Sequence, residues 1–98
     1  MNRDKIAELI ERRRRQILVH SVIYYKLNQS IISDRQWSIW AKELQELQAE
    51  YPDISAKVWG ADAFENFDCS SGFDLPLDDP WAVHKANHLL QLHRSKVA

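Results

Sequence analysis

An all-α fold is predicted by three observations on this 98-residue sequence. Only two glycines and three prolines interrupt it. Apolar residues recur at i, i+3, i+4 and i+7 in three separate stretches, the spacing of one helical face. Polar capping residues and prolines stand at the ends of those stretches, where helices start and stop. The predicted arrangement is a helical hairpin plus a C-terminal helix, both packed on a long central first helix. The length suits a single domain, residues 1–98, because a second would have too few residues for a core of its own.

The first helix is expected over about residues 3–27. Ile6, Leu9, Ile10, Ile17, His20, Tyr24 and Leu27 form one stripe. After Ile17 the opposite side also turns apolar, with Leu18, Val19, Val22 and Ile23. A helix apolar all round is a buried one, so its second half needs partners on two sides. In "ERRRR", Glu8 precedes Arg12 and Glu11 precedes Arg15 by four residues, the favourable order for ion pairs along a solvated helix face. Arg13 falls in the apolar stripe and is the arginine expected to need a specific partner.

The connection "NQSIISDRQ" leads into the second helix. Ser33 followed three residues later by Gln36 fits a capping box, and Asp34 in the first turn suits the positive end of the helix dipole. Trp37, Trp40, Ala41, Leu44 and Leu47 make the apolar face, and Tyr51-Pro52 ends it. The short loop makes the pair antiparallel. Residues 53–79 read as an acidic, loop-like region in which "ADAFENF" could give one helical turn burying Phe64 and Phe67. The last helix, about 80–95, opens on Asp79 as N-cap and Pro80 at the first helical position. Its small residues Ala82 and Ala86 allow close approach to the first helix.

Net charge is −1, so no basic field points to nucleic acid. The charge is uneven: residues 1–52 carry nine Lys/Arg against seven Asp/Glu, residues 53–79 one against seven, and residues 80–98 three against none. The acidic middle is expected to lie against the basic ends. A single cysteine, Cys69, excludes an intramolecular disulfide framework and fits a reducing compartment. No apolar stretch resembles a signal core or a membrane span. A cytoplasmic protein is expected.

Motifs for catalysis are weak. His84 and His88 have the i, i+4 spacing of a metal pair, but no third ligand stands at a recognisable spacing, so no metal site is expected. Cys69 beside Ser70 and Ser71 lacks a base placed by sequence. Gly60 and Gly72 cannot make a phosphate-cradling loop. His20, on the core stripe, reads as a satisfied buried histidine.

The stretch "IYYKLNQSIISDRQWSIW" is different. Asp34, Trp37 and Ser38 stand at i, i+3 and i+4, while Tyr24 and Tyr25 end the facing helix at the same level. Two readings remain open: aromatic filling at the open end of a hairpin core, or an acid-flanked aromatic pocket for a flat, partly cationic ring.

"YYKLNQSIISDRQW" followed by "ELQELQAEYPDI" resembles the small N-terminal helical domain of bacterial NAD-dependent DNA ligases, from about Gln16 to Ile54. The whole chain is also similar to small stand-alone ligase-related proteins of phage genomes, which would place it in a host cytoplasm. The resemblance implies a hairpin that closes over the nicotinamide mononucleotide half of NAD. By position it makes Tyr24 and Trp37 the aromatics around the nicotinamide, Asp34 the acid fixing the ring or its ribose, and Tyr25 a residue near the phosphate. Trp37 stands where the family usually has Tyr. Ser38 stands where it has Asp, with loss of a charge. No Lys-x-Asp-Gly nucleophile motif follows any of the six lysines.

The expected function is therefore non-catalytic binding of nicotinamide mononucleotide, NAD or a related nucleotide, with no required cofactor. The alternative is a helical adapter that docks onto a partner protein and has no small-molecule ligand.

Overall fold

The computed structural model describes residues 2–97. It contains four helices: α1 (Arg3–Tyr25), α2 (Asp34–Glu50), α3 (Pro52–Ser55) and α4 (Pro80–Val97), with no strand among the described residues. The all-α class predicted from the sequence is what the chain adopts.

Each long helix begins on a side-chain cap, which satisfies backbone donors that have no partner within the helix. Asn2 Oδ1 accepts from the Lys5 N–H at 2.8 Å, Ser33 Oγ from Gln36 at 3.0 Å, and Asp79 Oδ2 from Ala82 at 2.9 Å. The capping box at Ser33 is only half formed. No return bond joins the Gln36 side chain to the Ser33 N–H. At the other end of α1, Asn28 takes the left-handed conformation (φ 53°). Asparagine tolerates that region better than most residues. The chain then turns back, and the Gln29 N–H donates to the Ile23 carbonyl at 3.0 Å.

α1 is the central element. α2, α3 and α4 all pack on it, while α2 and α4 do not touch each other. This explains the change of pattern along α1. Leu18, Val19, Val22 and Ile23 are all buried, as are Ala82, Ala86 and Leu90 of α4 and Ala41 and Leu44 of α2. Burying each of the larger apolar side chains contributes about 1.5–3 kcal/mol.

The arginine run departs from expectation at one position. Glu8–Arg12 (3.5 Å) and Glu11–Arg15 (3.1 Å) pair as spaced. Arg13 Nη1 donates to Gln16 Oε1 at 2.7 Å and its Nε pairs with the Glu43 carboxylate at 3.4 Å, an ion pair that leaves the buried Nε without a hydrogen bond. Arg14, however, is the one that enters the core, at 1% exposure. The buried stripe runs Ile6, Ile10, Arg14, Ile17, Ser21, one step aside from the stripe read through Arg13.

Arg14 spends all its donor groups there. Nε donates to Gln48 Oε1 at 3.0 Å, and Nη1 to the carbonyls of Val58 (3.0 Å) and Trp59 (3.1 Å). Nη2 donates to the Ser55 carbonyl (3.0 Å) and hydroxyl (2.6 Å). The Phe64 ring lies below the guanidinium, 5.9 Å away. Burial lowers the Arg14 pKa from its ordinary value by desolvation.

The expectation of a loop-like 53–79 is thus corrected in its first half. α3 and the turns of 56–66 form a cage around Arg14, with Phe64 fully buried and Phe67 half-buried. "ADAFENF" forms turns rather than a helical turn. Gly60 (φ 86°) closes the cage, since a Cβ there would sit in the left-handed region and 3.3 Å from Arg14 Cδ.

The acidic middle does meet the basic first helix. Arg3 pairs with Asp53 and Lys26 with Asp78. Arg15 also lies between Trp59 (4.3 Å) and Trp81 (4.6 Å), tying α1 to the turns and to α4 by cation–π contacts. Among the described residues no helix is long and apolar enough to cross a membrane.

Candidate functional site

The mouth of the α1–α2 hairpin opens into a cleft of about 230 Å³. Its walls follow from local structure. The last two turns of α1 present His20, Ser21, Tyr24 and Tyr25. The connection contributes Ser30 to Ser33, and the first turns of α2 present Asp34, Trp37 and Ser38. The spacing brings these together: i and i+4 stack on one helical face, so His20 lies one turn below Tyr24, Ser21 one turn below Tyr25, and Ser38 one turn below Asp34. All five residues singled out from the sequence, Tyr24, Tyr25, Asp34, Trp37 and Ser38, line this one cleft.

The aromatics are divided between the core and the cleft wall. Tyr24 is 54% exposed and meets Tyr25 edge to face at 4.9 Å. Trp37 is half-buried, with its ring tilted against Phe67 at 6.3 Å. One edge of the indole therefore belongs to the core while the residue still lines the cleft.

The fourth wall was not legible in the sequence. Cys69 and Ser70, from the far part of 53–79, close the cleft opposite the hairpin. Cys69 is held at φ 61°. Asp68 Oδ1 accepts from both the N–H (3.0 Å) and the hydroxyl (2.6 Å) of Ser70, which fixes the turn and lowers the Asp68 carboxyl pKa. Tyr25 Oη and Ser71 Oγ lie at hydrogen-bond distance, 3.0 Å, and Phe73 stands edge-on to Tyr25 at 5.6 Å. Gly72 presses directly on the floor. A Cβ there would lie 2.1 Å from Ser21 Oγ and 3.3 Å from Trp37 Cζ2, so only glycine fits.

Two floor residues were misjudged or missed. His20 is half-buried beside Trp40 (5.7 Å), but its Nδ1 is buried and has no hydrogen-bond partner. The satisfied core histidine expected from the sequence is not what forms. Desolvation lowers its pKa, favouring the neutral ring. Ser21 is fully buried and its hydroxyl is also without a partner. Their position one turn before the tyrosine pair was the available signal. Cys69 and His20 share the cleft, yet no hydrogen bond joins them. His84 and His88 are exposed on α4.

The electrostatics are one-sided. No lysine or arginine lines the cleft, and Asp34 supplies a carboxylate at its rim. The volume lies below the roughly 300–1,000 Å³ of common small-molecule sites.

Fold and cleft define a small helical protein with an acid-flanked aromatic recess at the mouth of a hairpin. The chain belongs to the family described as DNA ligase-like, N-terminal NAD+-binding domain, which matches residues 3–57. Among curated relatives, the DNA ligase of Roseiflexus sp. (strain RS-1) is 35% identical over 54 residues, covering 55% of this chain and 7% of that enzyme. The DNA ligase of Leptospira biflexa serovar Patoc is 43% identical over 42 residues, 43% of this chain and 6% of the enzyme. That of Fervidobacterium nodosum is 37% identical over 51 residues, 52% and 8%. The matched stretch thus spans less than a tenth of each relative's length. No solved structure matches the chain. The cleft wall at 69–70 and all of α4 lie outside the family match.

Proposed function

We propose that this chain is a non-catalytic binding protein whose hairpin cleft takes the nicotinamide end of nicotinamide mononucleotide or NAD. One observation carries the reading. The residues at the ligase-pattern positions, Tyr24, Tyr25, Asp34, Trp37 and Ser38, line a single recess. The recess has the chemistry for a flat cation, with aromatic surface for stacking, a carboxylate at the rim and no competing cation. Family membership by an NAD+-binding domain supports the same ligand. With no cationic side chain in the walls, the phosphate would point outward.

In this role Asp34 opposes the charge of the pyridinium or bonds the ribose, and Trp37 and Tyr24 border the ring. Ser38 offers a hydroxyl where the ligases carry an acid, which weakens the hold on a cation. The test is a thermal-shift series with nicotinamide mononucleotide, NAD, ADP-ribose and ATP. The first two should raise the melting temperature, reaching about 2.7 kcal/mol of stabilisation at a hundred times Kd, and ADP-ribose should not. Asp34→Ala should weaken binding by about 1–3 kcal/mol. No response at millimolar nucleotide would sink the proposal.

A second reading, docking onto a partner protein, draws on Phe73, which is 66% exposed and stands edge-on to Tyr25. It predicts that Phe73→Ser abolishes complex formation while leaving any nucleotide response intact.

A further inference from the structure

The last helix outruns the core it packs on. α4 buries Ala82, Ala86 and Leu90, but every residue from Gln91 to Lys96 is exposed while the backbone stays helical. Helices in proteins are held mostly by packing one face. A helix end exposed on every side is therefore not explained by this chain alone. Leu92 is 47% exposed within it. Arg94 and Lys96 make no ion pair among the described residues, and α4 contains no Asp or Glu to pair with them. Cations suit the negative end of the helix dipole, but the dipole does not account for an exposed leucine beside them.

A groove of complementary character, about 650 Å³ in volume, lies elsewhere on the surface. Phe67, Leu75 and Pro76 line it. Asp62, Asp68 and Asp74 add three exposed carboxylates, none of them in an ion pair among the described residues. No lysine or arginine lines it. The helix end is carried away from the groove of its own chain. Pro76 lines the groove just before α4 begins at Pro80, and a rise of about 1.5 Å per residue takes Arg94 roughly 21 Å further along the axis.

From this juxtaposition we propose that the free end of α4 docks in the 62–76 groove of a second copy of this chain. Leu92 meets the apolar residues, and Arg94 and Lys96 meet the three carboxylates. A groove on one copy and a helix end on the other make a head-to-tail contact. Each pair keeps one free groove and one free helix end, so further copies add as rings or open chains rather than closing a two-fold dimer. A patch this small makes a weak contact, formed at high concentration and loosened by salt. Both surfaces lie outside the family match at residues 3–57.

The test is sedimentation equilibrium on the intact chain at low salt, from about 10 μM to about 1 mM, the range of a weak contact. The average mass should climb with concentration past that of a dimer, and fall back toward the monomer on adding salt. Two variants separate the halves of the contact. One carries Asp62→Asn with Asp74→Asn in the groove, the other Leu92→Ser with Arg94→Gln and Lys96→Gln on the helix. All five positions are exposed, so both variants should melt with the intact protein. Each alone should associate at least about ten-fold more weakly, equivalent to 1.4 kcal/mol. Mixed in equal amounts they should form pairs and stop there, because the intact groove of one takes the intact helix end of the other. An intact chain that stays monomeric throughout that range overturns the proposal, even where heparin or another polyanion binds the helix end instead. So does a dimer that both variants still form, or a mixture no heavier than its separate parts.

Discussion

The two halves of α1 bury polar side chains in opposite ways. In the first half, Arg14 is sealed into the core and every nitrogen of its guanidinium finds an oxygen, on Gln48, Ser55, Val58 and Trp59. Two turns later, Ser21 is buried just as fully and His20 buries a ring nitrogen, yet neither has a partner. A satisfied buried group holds a fold together, and an unsatisfied one costs free energy unless something else completes it. The Arg14 cage is therefore complete by itself. The unused hydrogen-bonding groups lie at Ser21 and His20, under the cleft, and at Arg13 Nε, which has only its ion pair with Glu43.

The largest effect should come from breaking the complete side. Arg14→Met would orphan the three carbonyls and the Gln48 amide, and should cost about 3–5 kcal/mol in urea denaturation. Arg14→Lys should recover little of this, because an ammonium cannot reach partners spread across a planar fork. A loss under 1 kcal/mol would mean that the cage is not the tie between α1, α2 and α3.

Next comes the wall of the open side. Gly72→Ala places a methyl group against Ser21 and Trp37, and should destabilise by about 1–3 kcal/mol. Loss of nucleotide response should accompany it. A variant as stable as the parent would show that the 69–73 segment does not lie on the floor.

The Ser33 cap should contribute about 1 kcal/mol, read as the loss on Ser33→Ala. Gln36→Ala should change little, because its side chain makes no return bond.

His20 sharpens the contrast through pH. Its folded pKa is depressed by burial, while the unfolded chain takes up a proton near pH 6.5. Stability is then whole above about 6.5 and declines as pH falls through that value toward the lower folded one. Asp34, Cys69, Tyr24 and Tyr25 line the same cleft. The His20→Phe variant should flatten the slope between pH 7 and 5, seen in melting temperature. An unchanged slope would mean that His20 is not buried neutral. The smallest expected effect is that of Ser21→Ala on the ligand-free protein, within about 0.5 kcal/mol and toward greater stability.

Much of this molecule follows from sequence alone. The three long helices, the starts of two of them at Ser33 and Asp79, the hairpin and the burial of α1 on two sides all follow from periodicity and capping, whereas the short α3 does not. The Tyr24, Tyr25, Asp34, Trp37 and Ser38 group could be singled out because helical spacing and one short connection put them at the same level. These signals are local: each depends on residues within a few positions of one another, where backbone geometry leaves little choice. Tertiary contact decided the rest. Whether Arg13 or Arg14 enters the core turned on carbonyls of Ser55, Val58 and Trp59, 41 to 45 residues away. The fourth wall of the cleft, the fit of Gly72 over Ser21, and the unpartnered floor depend on where an irregular segment returns to α1. Irregular backbone has no period, and a missing hydrogen-bond partner leaves no trace in the residue that lacks it. Only the packed chain determines which buried groups are satisfied.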